Sequence, residues 1–199
     1  MGRFWLGFGS AVALLAIVGV VLVSGAYDVA ASRPHTRPVA WLLDTTMHNS
    51  VERRSADREP PPFTAAQVRA GFALYADSCE HCHGAPGRQP QEWGRGMLPR
   101  PPALSTATPH WDAQELHWIL KHGVKMSGMP AFGATYSDAQ LWELVAFIRA
   151  MPQLPRGEYT ALETELRQRR EATAVQGGAT PVGSERGGNA GAGAPRPRG

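Results

Sequence analysis

The two cysteines of the chain stand three residues apart in the stretch Cys79-Glu80-His81-Cys82-His83, and this stretch constrains the fold more than any other. Because there is no further cysteine, a disulfide framework cannot hold a small domain together. Two thiols and an imidazole this close in sequence indicate a shared binding partner. The surrounding sequence must therefore be compatible with that partner at the centre of the fold.

Three helices are predicted around this stretch, over residues 65–78, 112–122 and 138–151. Thr64 caps the first helix, Asp112 begins the second, and Ser137 with Gln140 forms a capping box at the third. A short charged helix is predicted over residues 156–172. The residues between the helices are rich in glycine and proline and show no alternating strand pattern. The sequence therefore predicts an all-α fold with long loops.

The apolar faces of these helices are small for a domain of about ninety residues. Such a domain is marginally stable unless something reinforces its core. A disulfide network and a sheet are both absent from the prediction. We therefore expect a large apolar cofactor to fill the centre.

Covalent attachment of a c-type haem uses the pattern Cys-x-x-Cys-His. Cys79 and Cys82 share a face at the end of a helix and would form thioethers to the two vinyl groups. His83 would ligate the iron from below the ring. Haem attachment would therefore engage both thiols and the imidazole of the motif.

Two other uses of the motif compete with haem attachment. A structural zinc site needs a second pair of ligands at close spacing, whereas His110, His117 and His122 are spread over a helix. A redox-active dithiol of the thioredoxin kind normally lies in a βαβ unit, which the sequence does not predict. Both alternatives lack a supporting second feature.

A methionine thioether is the second axial ligand expected of an electron-carrying haem. Of the six methionines, Met129 has the most suitable setting, because Pro130 follows it and Gly128 and Gly133 frame it. A loop of this composition is stiff and poor in apolar neighbours. We predict Met129 as the ligand, with Met126 as the reserve candidate.

Residues 70–152 resemble a class I cytochrome c, and residues 4–162 resemble membrane-anchored bacterial monohaem c-type cytochromes of that class. The matching pieces are GFALYADSCEHCHGAPG, LPRPPAL, KHGVKMSGMPAFG and LWELVAFIRAMP. The resemblance implies a cytochrome c-like haem domain with one covalent haem c. It also implies that the first and last helices cross at Gly71, Phe72 and Phe147.

The resemblance implies further pocket residues. The carbonyl of Pro102, or of its neighbour Pro101, would accept a hydrogen bond from Nδ1 of His83. Leu104 belongs to the same segment, and Leu144 would touch the haem. Trp111 and Trp118 could bind haem propionates or pack in the core; we expect packing, with Trp111 the better propionate candidate.

Residues 4–26 contain no charge, and about 34 Å of helix from this length would cross a hydrocarbon core of about 30 Å. We expect an uncleaved transmembrane anchor over residues 1–27, although the small residues at its end also fit a signal-peptide cleavage site. Charge does not fix the orientation, because Arg3 precedes the span while Arg33 and Arg37 follow it. The resemblance implies a haem domain in the periplasm and a single pass through the inner membrane.

Residues 28–64 are predicted to be a connector that acts as a flexible tether with a reach of about 35 Å. It contains a short amphipathic helix in which Val39, Leu43, Met47 and Val51 recur every four residues. This helix would lie against the globular domain or the membrane. Residues 65–155 form the cytochrome domain, and residues 173–199 are predicted to be a disordered tail rich in Gly, Ala, Pro and Arg.

Several function classes follow from these features. The net charge is only +3, and the sequence has no cluster of basic and aromatic residues. Nucleic acid is therefore not expected as a partner. We expect an electron-transfer protein, not an enzyme, that passes single electrons between respiratory redox-partner proteins. The first alternative is a cytochrome subunit of a membrane-associated dehydrogenase or terminal oxidase. A haem enzyme or ligand sensor is the second alternative and would need an open iron position.

Overall fold

The structure of the protein is a computed structural model that describes residues 2–107 and 110–176. These residues form helices and no strand, with one isolated bridge between Ala85 and Arg88. The α-helices are α1 (Gly2–Val23), α2 (Arg37–Ser55), α3 (Ala65–Ser78), α4 (Glu80–His83), α5 (Glu92–Arg95), α6 (Leu104–Ala107), α7 (Ala113–His122), α8 (Asp138–Ala150) and α9 (Arg156–Gln176). Short 3₁₀ turns include Phe132–Ala134 and Met151–Gln153. The predicted all-α class is confirmed.

The three main helices begin where their capping residues predict. The side chain of Thr64 accepts a hydrogen bond from the backbone of Gln67, and Ser137 does the same with Gln140. Asp112 forms a third capping box, with Glu115, at the start of α7. Each box satisfies backbone N–H groups that the first helical turn leaves unpaired.

Helices α3 and α8 cross closely at a glycine. A Cβ atom on Gly71 would lie only 1.9 Å from the carbonyl oxygen of Glu143 on α8. The rings of Phe72 and Phe147 pack edge to face beside this point, with centroids 5.4 Å apart. Tyr159 adds a further edge-to-face contact to Phe72. The crossing therefore forms the apolar core of the domain.

Helix α2 differs from the flexible connector that the sequence predicts. It packs against α7, and its Val51 and Ser55 are fully buried. After α2, Arg58 pairs with Asp138 of α8 at 3.3 Å. The amphipathic helix predicted within residues 28–64 therefore lies against the globular domain, which is one of the two placements expected for it. The prediction of a flexible tether is wrong from residue 37 to residue 58, because the apolar stripe of α2 packs against the domain.

Helix α1 is long and apolar enough to cross a membrane, and none of its residues is buried. Residues 24–36 join it to α2. Within this linker the Tyr27 hydroxyl and Nδ1 of His35 are hydrogen-bonded at 2.8 Å, and their rings are stacked.

The chain divides into two units, residues 1–159 and 160–199. The described part of the second unit, residues 160–176, is the remainder of α9. This helix extends four residues beyond the predicted end at residue 172. The rest of the predicted disordered tail, residues 177–199, lies outside the described residues.

Candidate haem site

The Cys-x-x-Cys-His motif occupies a tight helical turn at the end of α3. Cys79 follows α3 as its C-terminal cap, and its carbonyl oxygen accepts hydrogen bonds from the backbone N–H groups of Cys82 at 3.1 Å and His83 at 2.9 Å. Gly84 then ends α4 with a φ of 69°, a conformation that suits glycine. The Tyr75 hydroxyl donates to the carbonyl of Gly84 at 2.6 Å and fixes the end of the turn.

His83 is held in one tautomer by the following loop. Its Nδ1–H donates to the carbonyl oxygen of Pro102 at 2.7 Å, so the partner in this structure is Pro102 and not Pro101. Burial lowers the pKa of His83, and the hydrogen bond to Pro102 partly opposes this. The imidazole is therefore kept neutral with its lone pair on Nε2, which is the form that ligates iron.

Both thiols lie in surroundings that favour the protonated form. Cys79 is only 5% exposed. Burial, with a smaller effect from Cys82, raises the pKa of the Cys79 thiol to about 12. Burial also raises the pKa of Cys82. A redox-active dithiol needs a lowered thiol pKa, so these surroundings do not suit the thioredoxin-like alternative.

A structural zinc site at the motif would also lack the further ligands that it needs. Within residues 2–107 and 110–176, no group of three or more His, Cys, Asp and Glu side chains lies close enough to hold a metal ion. A closed structural zinc site needs four such ligands.

The motif opens into a cavity of about 500 Å³. Cys79, Cys82 and His83 all line this cavity, and most of the remaining wall is apolar. The apolar wall comprises Pro99, Pro101, Leu104, Leu116, Ile119, Leu120, Val124, Phe132 and Ile148. Its size is typical of pockets for large cofactors.

Met129 lies in the wall of the cavity, whereas Met126 does not. The loop around Met129 is fixed by backbone contacts: its N–H donates to Oγ of Ser127 at 3.2 Å, and its carbonyl accepts from Val124 at 3.2 Å. Met126 has a φ of 61° and is 68% exposed. The structure therefore brings His83 and Met129, and not Met126, to one cavity.

The other predicted pocket residues are divided between the cavity and the core. Pro102, Leu104 and Trp111 line the cavity. Leu144 does not: it is fully buried in the helix-crossing core, and Ile148, one turn later on α8, lines the cavity instead. Trp118 lies outside the cavity beside His122, with ring centroids 4.8 Å apart.

Three residues of α2 also line the cavity and were not predicted as pocket residues: Asp44, Met47 and His48. Met47 belongs to the predicted apolar stripe of this helix. That stripe indicated that one face of α2 is covered, but not that the covering surface includes a cofactor pocket.

The donor set, the cavity size and the apolar walls fit a haem. The thiols of Cys79 and Cys82, the imidazole of His83 with its fixed tautomer and the thioether of Met129 border the same space. Other methionines and histidines also line it: Met47, Met97, His48 and His110. A hydrophobic shell around this space would limit the access of water to the iron.

Comparisons with known proteins agree with this geometry. A family model described as cytochrome C oxidase, cbb3-type, subunit III, matches residues 66–148. A search of curated proteins and one of solved structures found no match. The matched segment contains the motif, the cavity loops and nearly all of both crossing helices. Residues 66–148 are therefore a c-type cytochrome domain, which binds haem c covalently and works in electron transfer.

Proposed function

We propose that this protein is a membrane-tethered monohaem cytochrome that passes single electrons between redox-partner proteins in the periplasm. The observation that carries the proposal is the presence of both His83 and Met129 in the wall of one apolar cavity. An iron with two protein axial ligands has no open position for a substrate. Such a site suits electron transfer and not an enzyme or a sensor of small ligands.

Each proposed haem contact has a defined role for a residue of this chain. Cys79 and Cys82 would add their S–H groups across the two vinyl groups and form thioethers. His83 would ligate iron through Nε2, since Nδ1–H is engaged by Pro102. Met129, which lines the same cavity, would provide a sulfur ligand. The bound haem supplies one-electron chemistry by changing the oxidation state of its iron.

The membrane side of the proposal rests on α1 and on the resemblance to membrane-anchored cytochromes. We propose residues 1–27 as an uncleaved single-pass anchor in the inner membrane and residues 65–155 as the haem domain in the periplasm. Because α2 packs on the domain, only residues 24–36 remain as a linker, with a reach of about 20 Å. The haem domain would therefore stay near the membrane surface and exchange electrons with partners there.

Two optical measurements on the purified full-length protein test the electron-carrier proposal. A redox titration should show reversible one-electron behaviour, and carbon monoxide should leave the spectrum of the reduced protein unchanged. Rapid binding of carbon monoxide by the native protein would contradict the proposal, because it requires an open iron position.

A permanent subunit of an oxidoreductase is the second candidate function. The matching family is described as subunit III of a cbb3-type cytochrome C oxidase, and the short linker would suit a fixed partner in the membrane. Membranes solubilised in a mild detergent and separated on a native gel distinguish the two. Haem stain at the size of a larger complex, with partners in constant ratio, would favour the subunit; stain at the size of the single chain favours the carrier.

A further inference from the structure

Helix α2 lies outside the segment that matches the cytochrome family, yet it lines the haem cavity. Its Asp44, Met47 and His48 face the same space as the proposed iron ligands. A cytochrome domain limited to residues 66–148 would lack this side of the wall. The inference below rests on the proposed function of the cavity.

The position of α2 is fixed by burial at its C-terminal end. Val51 is 1% exposed, and the hydroxyl of buried Ser55 is satisfied by donating to the carbonyl of Val51 at 2.9 Å. Beyond α2, Phe63 packs on Trp142 of α8 with centroids 6.3 Å apart. Together with the pair between Arg58 and Asp138, these contacts attach the helix to both α7 and α8.

The pocket-facing side chains of α2 are themselves held in place. The imidazole of His48 stacks on the indole of Trp111, with centroids 4.6 Å apart and 16° between the planes. Its Nδ1–H donates to the carbonyl of Asp44 at 2.9 Å. From the other side, Nη1 of Arg149 donates to the carbonyl of Trp111 at 2.9 Å. The stacked pair is thus supported by α2, by α8 and by its own planar contact.

We propose that α2 is a functional wall of the haem pocket, in which Met47 and the stacked pair of His48 and Trp111 shield the haem from water and raise its reduction potential. The oxidised iron carries one more positive charge than the reduced iron, so water near the haem stabilises the oxidised state more. Solvent exposure is one of the properties that set haem potentials. Excluding water with α2 therefore favours the reduced state.

A matched pair of substitutions on α2 tests this inference in the full-length protein. Met47→Gln places a polar amide at the pocket wall, and Leu42→Gln places the same group at a position that is 57% exposed and outside the pocket. We expect Met47→Gln to shift the one-electron reduction equilibrium several-fold toward the oxidised form, and Leu42→Gln to leave it unchanged. Equal equilibria for Met47→Gln and the wild type would overturn the role of α2.

A second variant removes the wall as a unit. Val51→Asp puts a charge into the buried contact of α2, and limited proteolysis within residues 37–58 reports whether the helix has detached. Detachment with a shift toward the oxidised form supports the inference. Detachment with an unchanged equilibrium would show that α2 only packs on the domain.

The state of the haem separates this inference from the function on which it rests. Haem stain after denaturing electrophoresis and the sulfur-to-iron charge-transfer band are recorded for each variant. If both are present in the wild type and in Met47→Gln, an unchanged equilibrium counts against α2 alone. If the wild type lacks them, the proposed function fails and the inference fails with it.

Discussion

Met126 and Met129 belong to one loop, yet the structure gives their side chains opposite surroundings. Met129 lines the haem cavity, and its backbone is held by Ser127 and Val124. Met126 is mostly exposed. Spacing and composition alone left both residues as candidates, because a Gly/Pro-rich loop does not show from its sequence which side chain turns inward.

Replacing Met129 by Ala should remove the sulfur ligand while leaving the haem attached through Cys79 and Cys82. The sulfur-to-iron charge-transfer band of the oxidised protein should disappear, the potential should fall, and carbon monoxide should bind the reduced protein. Met126→Ala is the matched control and should keep the wild-type spectrum. Loss of the band in Met126→Ala, with retention in Met129→Ala, would reverse the ligand assignment.

Gly71 permits the close approach of α3 to α8. The Cβ of Gly71→Ala would lie 1.9 Å from a backbone oxygen, which cannot move as a flexible side chain can. We expect the helices to separate and the free energy of unfolding to fall by about 1–3 kcal/mol or more, as for other overpacked cores. Denaturant unfolding measures this change.

Gly157→Ala is the control for that substitution. This glycine is also helical, but a Cβ there meets nothing within 4 Å. Its stability should be unchanged or slightly higher, because alanine has the better helix propensity. Equal stability of Gly71→Ala and Gly157→Ala would contradict the close crossing.

At the scale of elements, a buried histidine joins α7, α8 and the segment after α2. His117 is fully buried, and its ring stacks on Trp142 with centroids 4.2 Å apart. Its Nε2 lies 3.4 Å from the carboxylate of Asp138, which also pairs with Lys121 and Arg58. Burial lowers the pKa of His117 to about 4. The carboxylate of Asp138 acts to raise this pKa, but the cations of Arg58 and Lys121 act to lower it and offset that effect.

This lowered pKa predicts a loss of stability in mild acid. The unfolded chain binds a proton at His117 below about pH 6.5, whereas the folded chain keeps the ring neutral down to about pH 4. Stability is therefore full above pH 6.5 and should fall by roughly 3 kcal/mol between pH 6.5 and 4. Unfolding in denaturant across this range measures the effect.

His117→Gln provides the comparison, because its side chain does not titrate. Its unfolding free energy should vary less with pH between 6.5 and 4 than that of the wild type. Titration of Asp138 does not account for this difference. Its pKa is lowered, chiefly by a hydrogen bond from Lys121, so the pH range in which its contribution to stability is lost lies at more acidic values. The same pH dependence in both proteins would exclude His117 as the cause.

The helices were predictable from sequence because their start signals are local. Thr64 and Ser137 each bond within three residues, so the chain itself contains the whole capping interaction. The docking of α2 was not predictable in the same way. The apolar stripe of α2 indicated that one of its faces is buried, but the helix that packs on this face is α7, about sixty residues later in the chain.

The site shows the same division between local and distant information. Cys79, Cys82 and His83 were identified as candidates from one five-residue pattern. Leu144 was expected at the haem, but the turn of α8 that faces the cavity presents Ile148 instead. Met47 and His48 reach the pocket only through long-range packing, which the spacing of residues does not encode.

At the scale of the whole molecule, the apolar α1 and the helical haem domain should be separable. Removing residues 1–26 leaves α2 and every proposed ligand in place. We expect a soluble, red, redox-active protein with the spectrum of the full chain, while the full chain should need detergent for extraction from membranes. Mass spectrometry of the native protein should find residues 4–26 still attached; a mature N-terminus at or after residue 27 would make it a diffusing carrier.

The central claim is that the motif at residues 79–83 carries the haem, and peptide mass spectrometry tests it most directly. Trypsin cuts after Arg69 and Arg88, so one peptide of residues 70–88 contains both cysteines and His83. The account predicts that this peptide carries the mass of one haem bound through both sulfurs, after acid-acetone extraction has removed any free haem. Recovery of the same peptide with two unmodified thiols, and of all the colour in the solvent, would contradict it.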